Sequence, residues 1–464
     1  MRSLCARKSL SILFLAASLG VITPAHADTP VSWADPSSSG NWSDPTQWNP
    51  QVSPNGDYDV TLPAGHEIVA LDISPTIDSF AVGSGTTFQT NSATSLTTGS
   101  LNSSGDVFFI SGSLISVTED MTNSGTMSVG AGTTLSVGGN LTNNGDLGTG
   151  YGGGGNTINV SGTCINSGTL ELTRDGDTAN LNALNNQGSV TIDGGTSLNI
   201  TGGGAGITDV ATGSSYFVAG NFNVINGVAT TSAVANLASV EGQLFLVSGQ
   251  SYNMGALTNS GSFSVGSGTA LSIAGNLTNN GDLGTGYGGG GNIINVSGTL
   301  INSKTFELTR DGDVASLAAL NNSGTVTVDS DTLLRIGSGV FSATSGYQQV
   351  ANGVFDEVIS STGTYGIGNI SGPIALDGTL DVTFANGFVP SLGESFIFLN
   401  GTVAELSGQY ASINAPPIAG GEWQIIYNDA AGTVTLMAVA PEPALLSLLA
   451  LALPAMPNRR RFRA

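Results

Sequence analysis

The turn Thr-Arg-Asp-Gly-Asp carries the densest set of chemically competent side chains in this sequence, and it occurs twice, at residues 173–177 and 309–313. Two carboxylates one residue apart can share a Ca²⁺ ion if carbonyl oxygens complete its shell of about 6–8 ligands. The candidate calcium ligands are Asp175, Asp177, Asp311 and Asp313. The alternative is a charged turn in which Arg174 and Arg310 pair locally, and the sequence favours it because no complete ligand shell is visible.

Histidine and cysteine, which often serve as bases, nucleophiles and metal ligands, are almost absent. The only histidines are His26 and His66, and His26 falls in a predicted leader. One histidine is too few for most catalytic triads and histidine-based metal sites. Cys164 is the only cysteine outside the leader, and its duplicate is Leu300, which predicts a small buried apolar residue. The sequence therefore predicts no enzymatic activity and no cofactor other than calcium, although paired carboxylates alone can hydrolyse glycosides.

The charge balance is strongly acidic, with 11 Lys and Arg against 33 Asp and Glu. Seven of the cations lie in two terminal segments predicted to be removed, which leaves four cations and a net charge near −29. Binding to nucleic acid needs clustered cations that neutralise phosphates, so this class of partner is excluded. An acidic surface is typical of a soluble protein outside the cell.

Two nested repeats organise the chain. Residues 121–200 recur with few changes at 257–336, which indicates an internal duplication. Within each copy, an apolar-x-Asn-x-Gly motif returns at steps of mostly 20 residues, with one step of 23. After each motif glycine, apolar and polar residues alternate, which predicts a strand with one buried face. The motif glycines are Gly105, Gly125, Gly145, Gly168, Gly188, Gly261, Gly281 and Gly324, and Lys304 stands at one expected glycine position.

Short strands at steps of about 20 residues with Asn and Gly turns predict an all-β fold, a right-handed parallel β-helix or β-solenoid. One coil cannot bury its inner face alone, so neighbouring coils must stack. The motif asparagines would then hydrogen-bond from coil to coil, and the motif glycines would supply a positive φ. About a dozen coils over residues 81–340 would form a rod of about 60 Å. The poorer repeat in 201–256 predicts irregular coils or a protruding loop.

The two ends of the predicted solenoid differ from its middle, since they hold all four tryptophans. The run GNWSDPTQWNP within residues 28–80 resembles the N-terminal caps of bacterial surface β-helix proteins. The run LDGTLDVTFANGFVP within 341–440 resembles the region that closes autotransporter-like β-helix passengers with a few antiparallel strands. These resemblances imply an N-terminal cap and a C-terminal antiparallel β cap. Trp42 and Trp48 could stack on sugars, but packing within the cap is the favoured interpretation.

A secretory signal peptide is predicted at residues 1–27. A basic start precedes an apolar run over residues 10–21, and a small-x-small cleavage site follows at Ala25 and Ala27. Signal peptidase is therefore an expected partner during processing, and the mature chain should begin at Asp28.

Residues 441–464 combine a short motif, an apolar run and a basic end. The motif is Pro441, Glu442 and Pro443, and the basic end contains Arg459, Arg460 and Arg461. The apolar run is shorter than the about 20 residues of a membrane-spanning helix, and the basic end should stay cytoplasmic. This arrangement resembles the PEP-CTERM sorting signal of Gram-negative surface proteins. The resemblance implies recognition by an exosortase and a precursor anchored transiently in the membrane by a transmembrane tail.

The sequence therefore predicts a secreted or surface-anchored structural or adhesive protein of the cell envelope or extracellular matrix of a Gram-negative-type bacterium, as in a biofilm. An extracellular polysaccharide is the candidate partner. One alternative is a carbohydrate-active enzyme, because β-helix folds also host polysaccharide lyases and hydrolases. Another is an adhesin or ice-binding protein with outward threonine rows. The threonines that hint at such rows are Thr133, Thr134, Thr325 and Thr327.

Overall fold

A computed structural model describes residues 29–441 apart from a set of short gaps. The gaps are residues 66, 92, 111, 330–331, 337–346, 350, 352–353, 366, 371–372, 386 and 402–405. The predicted signal peptide and all of the predicted sorting tail after Pro441 lie outside the described residues.

The chain is all-β, with 57% of residues in strands, and it forms a parallel β-solenoid of about 13 turns. Both findings confirm the predicted fold class. The one helical element in the described part is the 3₁₀ turn Pro45–Gln47. Each coil has three strand positions, called here face 1, face 2 and face 3 in chain order. In the coil of residues 157–172, they are 157–160, 164–166 and 169–172.

Faces 1 and 2 share strands in several coils, because the chain can bend between them without leaving the sheet. The strands of these two faces belong to two sheets. Those of the first sheet are Thr76–Val82, Ser95–Ser103, Leu114–Val117, Met121–Asn123, Thr134–Val137, Leu141–Asn143, Thr157–Asn166, Thr178–Asn186, Ser197–Ile200 and Asn221–Asn226. Those of the second sheet are Asp209–Val210, Ser239–Val240, Ser251–Met254, Leu257–Asn259, Ala270–Ile273, Leu277–Asn279, Ile293–Asn302, Val314–Asn322, Leu333–Ile336, Tyr347–Gln349, Ile367–Ile370, Ile374–Leu376 and Leu406–Gly408.

Face 3 is a single parallel ladder that runs through both halves. Its strands are Ile68–Leu71, Thr87–Thr90, Asp106–Phe109, Thr126–Val129, Asp146–Gly148, Thr169–Leu172, Ser189–Ile192, Ser215–Val218, Gln243–Leu246, Ser262–Gly266, Asp282–Tyr287, Thr305–Leu308, Thr325–Val328, Val354–Ser361, Thr379–Phe384 and Ser412–Asn414. The remaining strands belong to the ends and to hairpins: Thr29–Trp33, Gly40–Asn41, Trp48–Asn49, Tyr58–Leu62, Ala229–Ser232, Thr364–Tyr365, Ser395–Gly401, Glu422–Asn428 and Thr433–Val439.

The interior is one hydrophobic core that follows the coils. Every second side chain of a strand points inward, as in Thr169–Leu172, where Leu170 and Leu172 are buried and Glu171 is exposed. Cys164 is also fully buried, as predicted, and burial raises the pKa of its thiol to about 12. Burying one leucine contributes about 1.5–3 kcal/mol. Because each coil covers the inner residues of its neighbours, this gain depends on stacking.

The motif asparagines form two buried amide ladders on face 2, which confirms the predicted stacking. In each ladder, the Nδ2 group of one asparagine donates a hydrogen bond to Oδ1 of the next. The distances are 2.8, 2.7 and 2.7 Å along Asn123, Asn143, Asn166 and Asn186. They are 2.7 Å throughout along Asn259, Asn279, Asn302 and Asn322. Nδ2 also reaches a backbone carbonyl, as from Asn143 to Thr169 O at 2.8 Å, so each amide is held on two sides.

The motif glycines are required for a steric reason, and the prediction that they supply a positive φ is wrong. Gly125, Gly145 and Gly168 are not among the residues with a positive φ. A Cβ placed on Gly145 would lie 2.1 Å from Gly125 O, and one on Gly168 would lie 2.0 Å from Gly145 O. A side chain at these positions would therefore push neighbouring coils apart.

Lys304 occupies one of these positions in the second copy, and the coils separate locally. The hydrogen bond from Thr305 N to Gly281 O is 3.3 Å long, whereas the equivalent bond from Thr169 N to Gly145 O is 2.9 Å. The solenoid therefore tolerates a Cβ here by lengthening one coil-to-coil hydrogen bond.

The segment 201–256 contains both predicted features, an irregular coil and a protruding loop. Face 3 passes through it without a break, because Ser215–Val218 pairs with the face 3 strands before and after it. On face 1, Asn221–Asn226 instead forms an antiparallel hairpin with Ala229–Ser232. Val228 at the hairpin tip is fully exposed.

At the N-terminal end, parallel pairing begins well before residue 81. Thr29–Trp33 pairs in parallel with Tyr58–Leu62, and in antiparallel fashion only with Trp48–Asn49. Trp42 and Trp48 are fully buried, with ring centroids 4.8 Å apart. The alternative in which these two rings stack on sugars is therefore wrong, because neither ring is accessible. Both rings fill the interior of the N-terminal end of the solenoid.

At the C-terminal end, parallel coils continue past residue 340, as in the pairing of Thr379–Phe384 with Ser412–Asn414. The chain then closes with antiparallel pairs. Thr433–Val439 pairs with Glu422–Asn428 on one side and with Ser395–Gly401 on the other. That the two terminal segments cap the exposed end coils of the solenoid stays a prediction.

Candidate functional site

The second aspartate of each Thr-Arg-Asp-Gly-Asp turn is part of the scaffold. Asp177 is 1% exposed. Its Oδ1 accepts hydrogen bonds from the backbone N and the side-chain Nδ2 of Asn156, both at 2.9 Å, and its Oδ2 accepts one from Arg174 N at 3.0 Å. The equivalent Asp313 has the duplicated partners at 2.9–3.0 Å. Both buried carboxylates therefore hold the turn against the glycine-rich turn of the preceding coil.

The arginines of these turns bind carbonyl oxygens. Nε and Nη2 of Arg174 donate to Gly150 O at 3.2 and 2.9 Å, and Arg310 binds Gly286 O in the same way. The first aspartates of the turns, Asp175 and Asp311, are exposed. Among the described residues, no group of three or more His, Cys, Asp or Glu is placed to hold a metal ion. Of the four candidate calcium ligands, Asp175 and Asp311 are thus exposed, whereas Asp177 and Asp313 accept hydrogen bonds within the scaffold.

The predicted processing residues lie outside the described part of the chain, apart from Pro441. These residues are Ala25, Ala27, Glu442, Pro443, Arg459, Arg460 and Arg461. Within the described ranges, no helix has the length and apolar character needed to cross a membrane.

The threonines proposed as outward rows do not form one row. Thr133 is fully buried. Thr325 faces outward on face 3, but the coils before it place Thr305 and then Asp282 in the same column. A charged side chain thus interrupts the column.

The outer surface of face 3 carries three neighbouring aromatic rings, called here the aromatic triad: Phe217, Phe245 and Tyr287. Phe217 and Phe245 occupy the same outward position on adjacent strands, with ring centroids 6.4 Å apart. The ring of Tyr287 lies 5.6 Å from that of Phe217 and 5.1 Å from that of Phe245. Tyr287 is 45% exposed, and the phenylalanines are partly exposed. A contiguous exposed apolar patch is a candidate binding surface.

A polar groove of about 360 Å³ runs beside the triad. Its lining includes the outward side chains of Ser215, Gln243 and Ser262, and the exposed carboxylate of Glu241. Ser215 and Gln243 precede the two phenylalanines of the triad by two residues on the same strands, so they lie about 7 Å from them along the strand. Glu241 accepts a hydrogen bond from Thr212 Oγ1 at 3.1 Å. Apolar rings and hydrogen-bonding groups therefore stand side by side on one surface.

A smaller version of this arrangement, called here the aromatic pair, lies nearer the N-terminal end of face 3: Phe108 and Tyr151. The ring centroids are 5.6 Å apart, and Tyr151 is 53% exposed. The two residues correspond to the second and third members of the triad, but Gln89 takes the place of the first. A groove of about 280 Å³ beside the pair is lined in part by Asp146 and Glu171.

Two carboxylates lie on consecutive coils of face 3 beyond the triad. Asp282 is opposite Thr305, and Glu307 is opposite Gly284, so the two carboxylates are diagonal neighbours. Partial burial raises the pKa of Glu307, and the negative charge of Asp282 adds to the effect. A carboxyl group with a raised pKa beside a second carboxylate is the arrangement used by general acid–base pairs.

Sequence reasoning missed this surface for an identifiable reason. The alternation that places Leu244 and Leu246 inward also places Phe245 outward, so the signal for the phenylalanines was present in the strand pattern. The two tyrosines stand beside the glycine-rich runs 152–155 and 288–291, where no periodicity fixes the direction of a side chain.

Comparison with known proteins supplies no activity or partner for these residues. A scan against protein-family models finds no match, and a search of curated proteins finds none.

Proposed function

We propose that the mature protein is a structural or adhesive rod of the cell envelope or extracellular matrix of a Gram-negative-type bacterium. The observation that carries this proposal is that the duplicated polar residues serve the scaffold. The carboxylates of Asp177 and Asp313 accept internal hydrogen bonds, and the ladder asparagines bind one another. About 13 turns at about 4.8 Å each span about 60 Å. The rod leaves its long outer faces available for other molecules.

The proposed route to the surface rests on the two terminal segments of the sequence. Residues 1–27 have the basic start, apolar run and small-x-small site of a secretory signal peptide. Residues 441–464 resemble a PEP-CTERM tail, so the proposed sorting enzyme is an exosortase. The basic cluster of that tail would stay on the cytoplasmic side, and the tail would anchor the precursor in the membrane until cleavage.

Deletion of residues 441–464 in the native cell tests this proposal. The full-length chain should be found in the envelope or matrix fraction without residues 1–27, whereas the deleted chain should be released into the medium. A matched variant keeps the tail length and changes only Arg459, Arg460 and Arg461 to alanine, and it should also be mislocalised. Unchanged localisation of both variants, or retention of residues 1–27 in the mature form, would contradict the proposal.

A carbohydrate-active enzyme is the second candidate, favoured by the raised pKa of Glu307 beside Asp282. The test is incubation of the full-length protein with neutral and acidic polysaccharides, with detection of new reducing ends. Cleavage that is lost in Glu307→Gln, and retained in the matched Glu171→Gln of the first copy, would establish this candidate. Absence of cleavage across the panel would reject it.

A further inference from the structure

The geometry points to the aromatic triad and its polar groove as a binding site for a non-acidic polysaccharide. This inference rests on the proposed adhesive role and names the class of partner. The proposed site consists of Phe217, Phe245 and Tyr287 and of the polar side chains that line the groove beside them. The three aromatic residues contribute nothing to the core of the solenoid.

The chemistry of the surface matches that of a sugar ring. A pyranose presents C–H groups on its flat faces and hydroxyl groups around its rim. The faces of aromatic rings carry partial negative charge and attract such C–H groups. The hydroxyls of Ser215 and Ser262 and the amide of Gln243 can exchange hydrogen bonds with the rim. The triad and the groove therefore offer both kinds of contact about 7 Å apart along the strands, a spacing that neighbouring sugars of one chain can bridge.

The charge of the surface selects against acidic polymers. The groove is lined by Glu241, and no described Lys or Arg is among its lining residues. Asp282 and Glu307 lie on the same face beyond the triad. Uronic-acid or sulfated chains would meet like charge in a protein that carries 33 acidic residues. A chain of neutral sugars meets no such repulsion, and carboxylates accept hydrogen bonds from its hydroxyls.

The two aromatic clusters are arranged for one long ligand. The aromatic pair and the triad lie on the same unbroken face 3 ladder, six strand steps apart from Phe108 to Phe245. At about 4.8 Å per step, they are separated by about 29 Å along the rod. A polysaccharide laid along the rod could contact both clusters, which would increase the apparent affinity through effective concentration.

Affinity electrophoresis of the full-length protein in gels containing laminarin, a neutral glucan, tests the inference. The wild type should be retarded, and Tyr287→Ala should weaken binding by about tenfold, because one aromatic contact contributes about 1.4 kcal/mol. Gln243→Ala, an exposed change with no effect expected on folding, should weaken binding by about threefold. Phe217→Gln, which gives the triad the glutamine that stands beside the aromatic pair at position 89, should weaken it by an intermediate amount.

The control is Val228→Ala at the exposed hairpin tip, outside both aromatic clusters, which should leave laminarin binding unchanged. Tyr151→Ala in the aromatic pair should weaken binding by about twofold, less than Tyr287→Ala, since the pair lacks a third ring. Alginate, an acidic polymer, should cause no retardation. Equal retardation of wild type, Tyr287→Ala and Gln243→Ala would overturn the inference, as would retardation by alginate alone or by neither polymer. These results leave the localisation experiment untouched, so failure of the binding site and failure of the proposed surface role are distinguishable.

Discussion

The two copies of the duplicated block share their buried amide ladder and differ in a second, partly exposed one. The inner amide ladder of the first copy, including Asn143, is reproduced in the second with equivalent partners at distances that agree within 0.1 Å. On face 1, an outer ladder in which Asn180 binds Asn159 at 3.0 Å has no duplicate, because the second copy has Ser316 at that position. Buried amides without partners cost free energy, whereas exposed ones bind water. The comparison shows which hydrogen bonds the fold requires.

Position 168 and its duplicate 304 show how strictly a close contact between coils constrains the residue type. Gly168 leaves no space for a Cβ, yet Lys304 is accommodated at the cost of a lengthened hydrogen bond from Thr305 N. A close coil-to-coil contact therefore tolerates substitution better than a buried amide that needs its hydrogen-bond partners.

The largest expected effect is the loss of a ladder asparagine. Asn143→Leu removes the donor to Asn166 Oδ1 and the acceptor for Asn123 Nδ2, both in the interior. Each orphaned group costs about 1–3 kcal/mol, so the free energy of unfolding should fall by about 3 kcal/mol in denaturant titration. The control is Asn180→Ser, which copies the second block. It removes the partly buried hydrogen bonds to Asn159 and from Asn199, and it should lower the free energy of unfolding by about 1 kcal/mol. Similar losses in both variants would remove the distinction between inner and outer ladders.

The next effect concerns the turn that both copies share. Asp177→Asn exchanges a carboxylate oxygen that accepts buried N–H groups for an amide, and it should lower stability by about 2 kcal/mol. The matched change Asp175→Asn, on the exposed aspartate, should have an effect below about 0.5 kcal/mol. Thermal melts should be insensitive to millimolar Ca²⁺. A calcium-dependent rise in melting temperature with two ions per chain, abolished in Asp175→Asn/Asp311→Asn, would instead establish a duplicated calcium site.

The smallest expected effect concerns the coil-to-coil contact at position 168 and its duplicate 304. Gly168→Ala should destabilise the protein by about 1 kcal/mol, at the low end for overpacking, because the second copy shows how the coils adapt. Lys304→Gly should change stability by less, since the shorter hydrogen bond is offset by the greater flexibility of glycine in the unfolded chain. A larger effect at 304 than at 168 would mean that the two copies do not share one coil-to-coil contact.

The repeat period and the strict alternation were enough to predict the solenoid and its inward residues, because a stacked coil repeats one set of contacts. The amide ladder followed from the same spacing. The role of the motif glycines did not, since the sequence does not distinguish a glycine needed for its φ from one needed for close approach, as at Gly145. The extent of the coils was also underestimated, because strands such as Thr379–Phe384 pair in parallel without keeping the motif.

The candidate surface was less accessible to sequence reasoning. The sequence suggests Asp177 as a calcium ligand, because a turn with two carboxylates has the same sequence pattern whether it binds a metal ion or a neighbouring coil. Its actual partner, Asn156, lies 21 residues away on the preceding coil. The aromatic triad combines residues from three coils, so only the stacking register brings Phe217 beside Tyr287.

Hydroxyl-radical footprinting of the full-length protein with and without laminarin tests most directly the claim that the aromatic triad on face 3 is the main binding surface of the rod. Oxidation of Tyr287, Phe245 and Phe217 should fall markedly when laminarin is bound. Oxidation of Tyr151 should fall less, and the buried Trp42 and Trp48 should stay unreactive in both samples. Unchanged oxidation of the triad, or protection confined to other faces of the rod, would contradict the account.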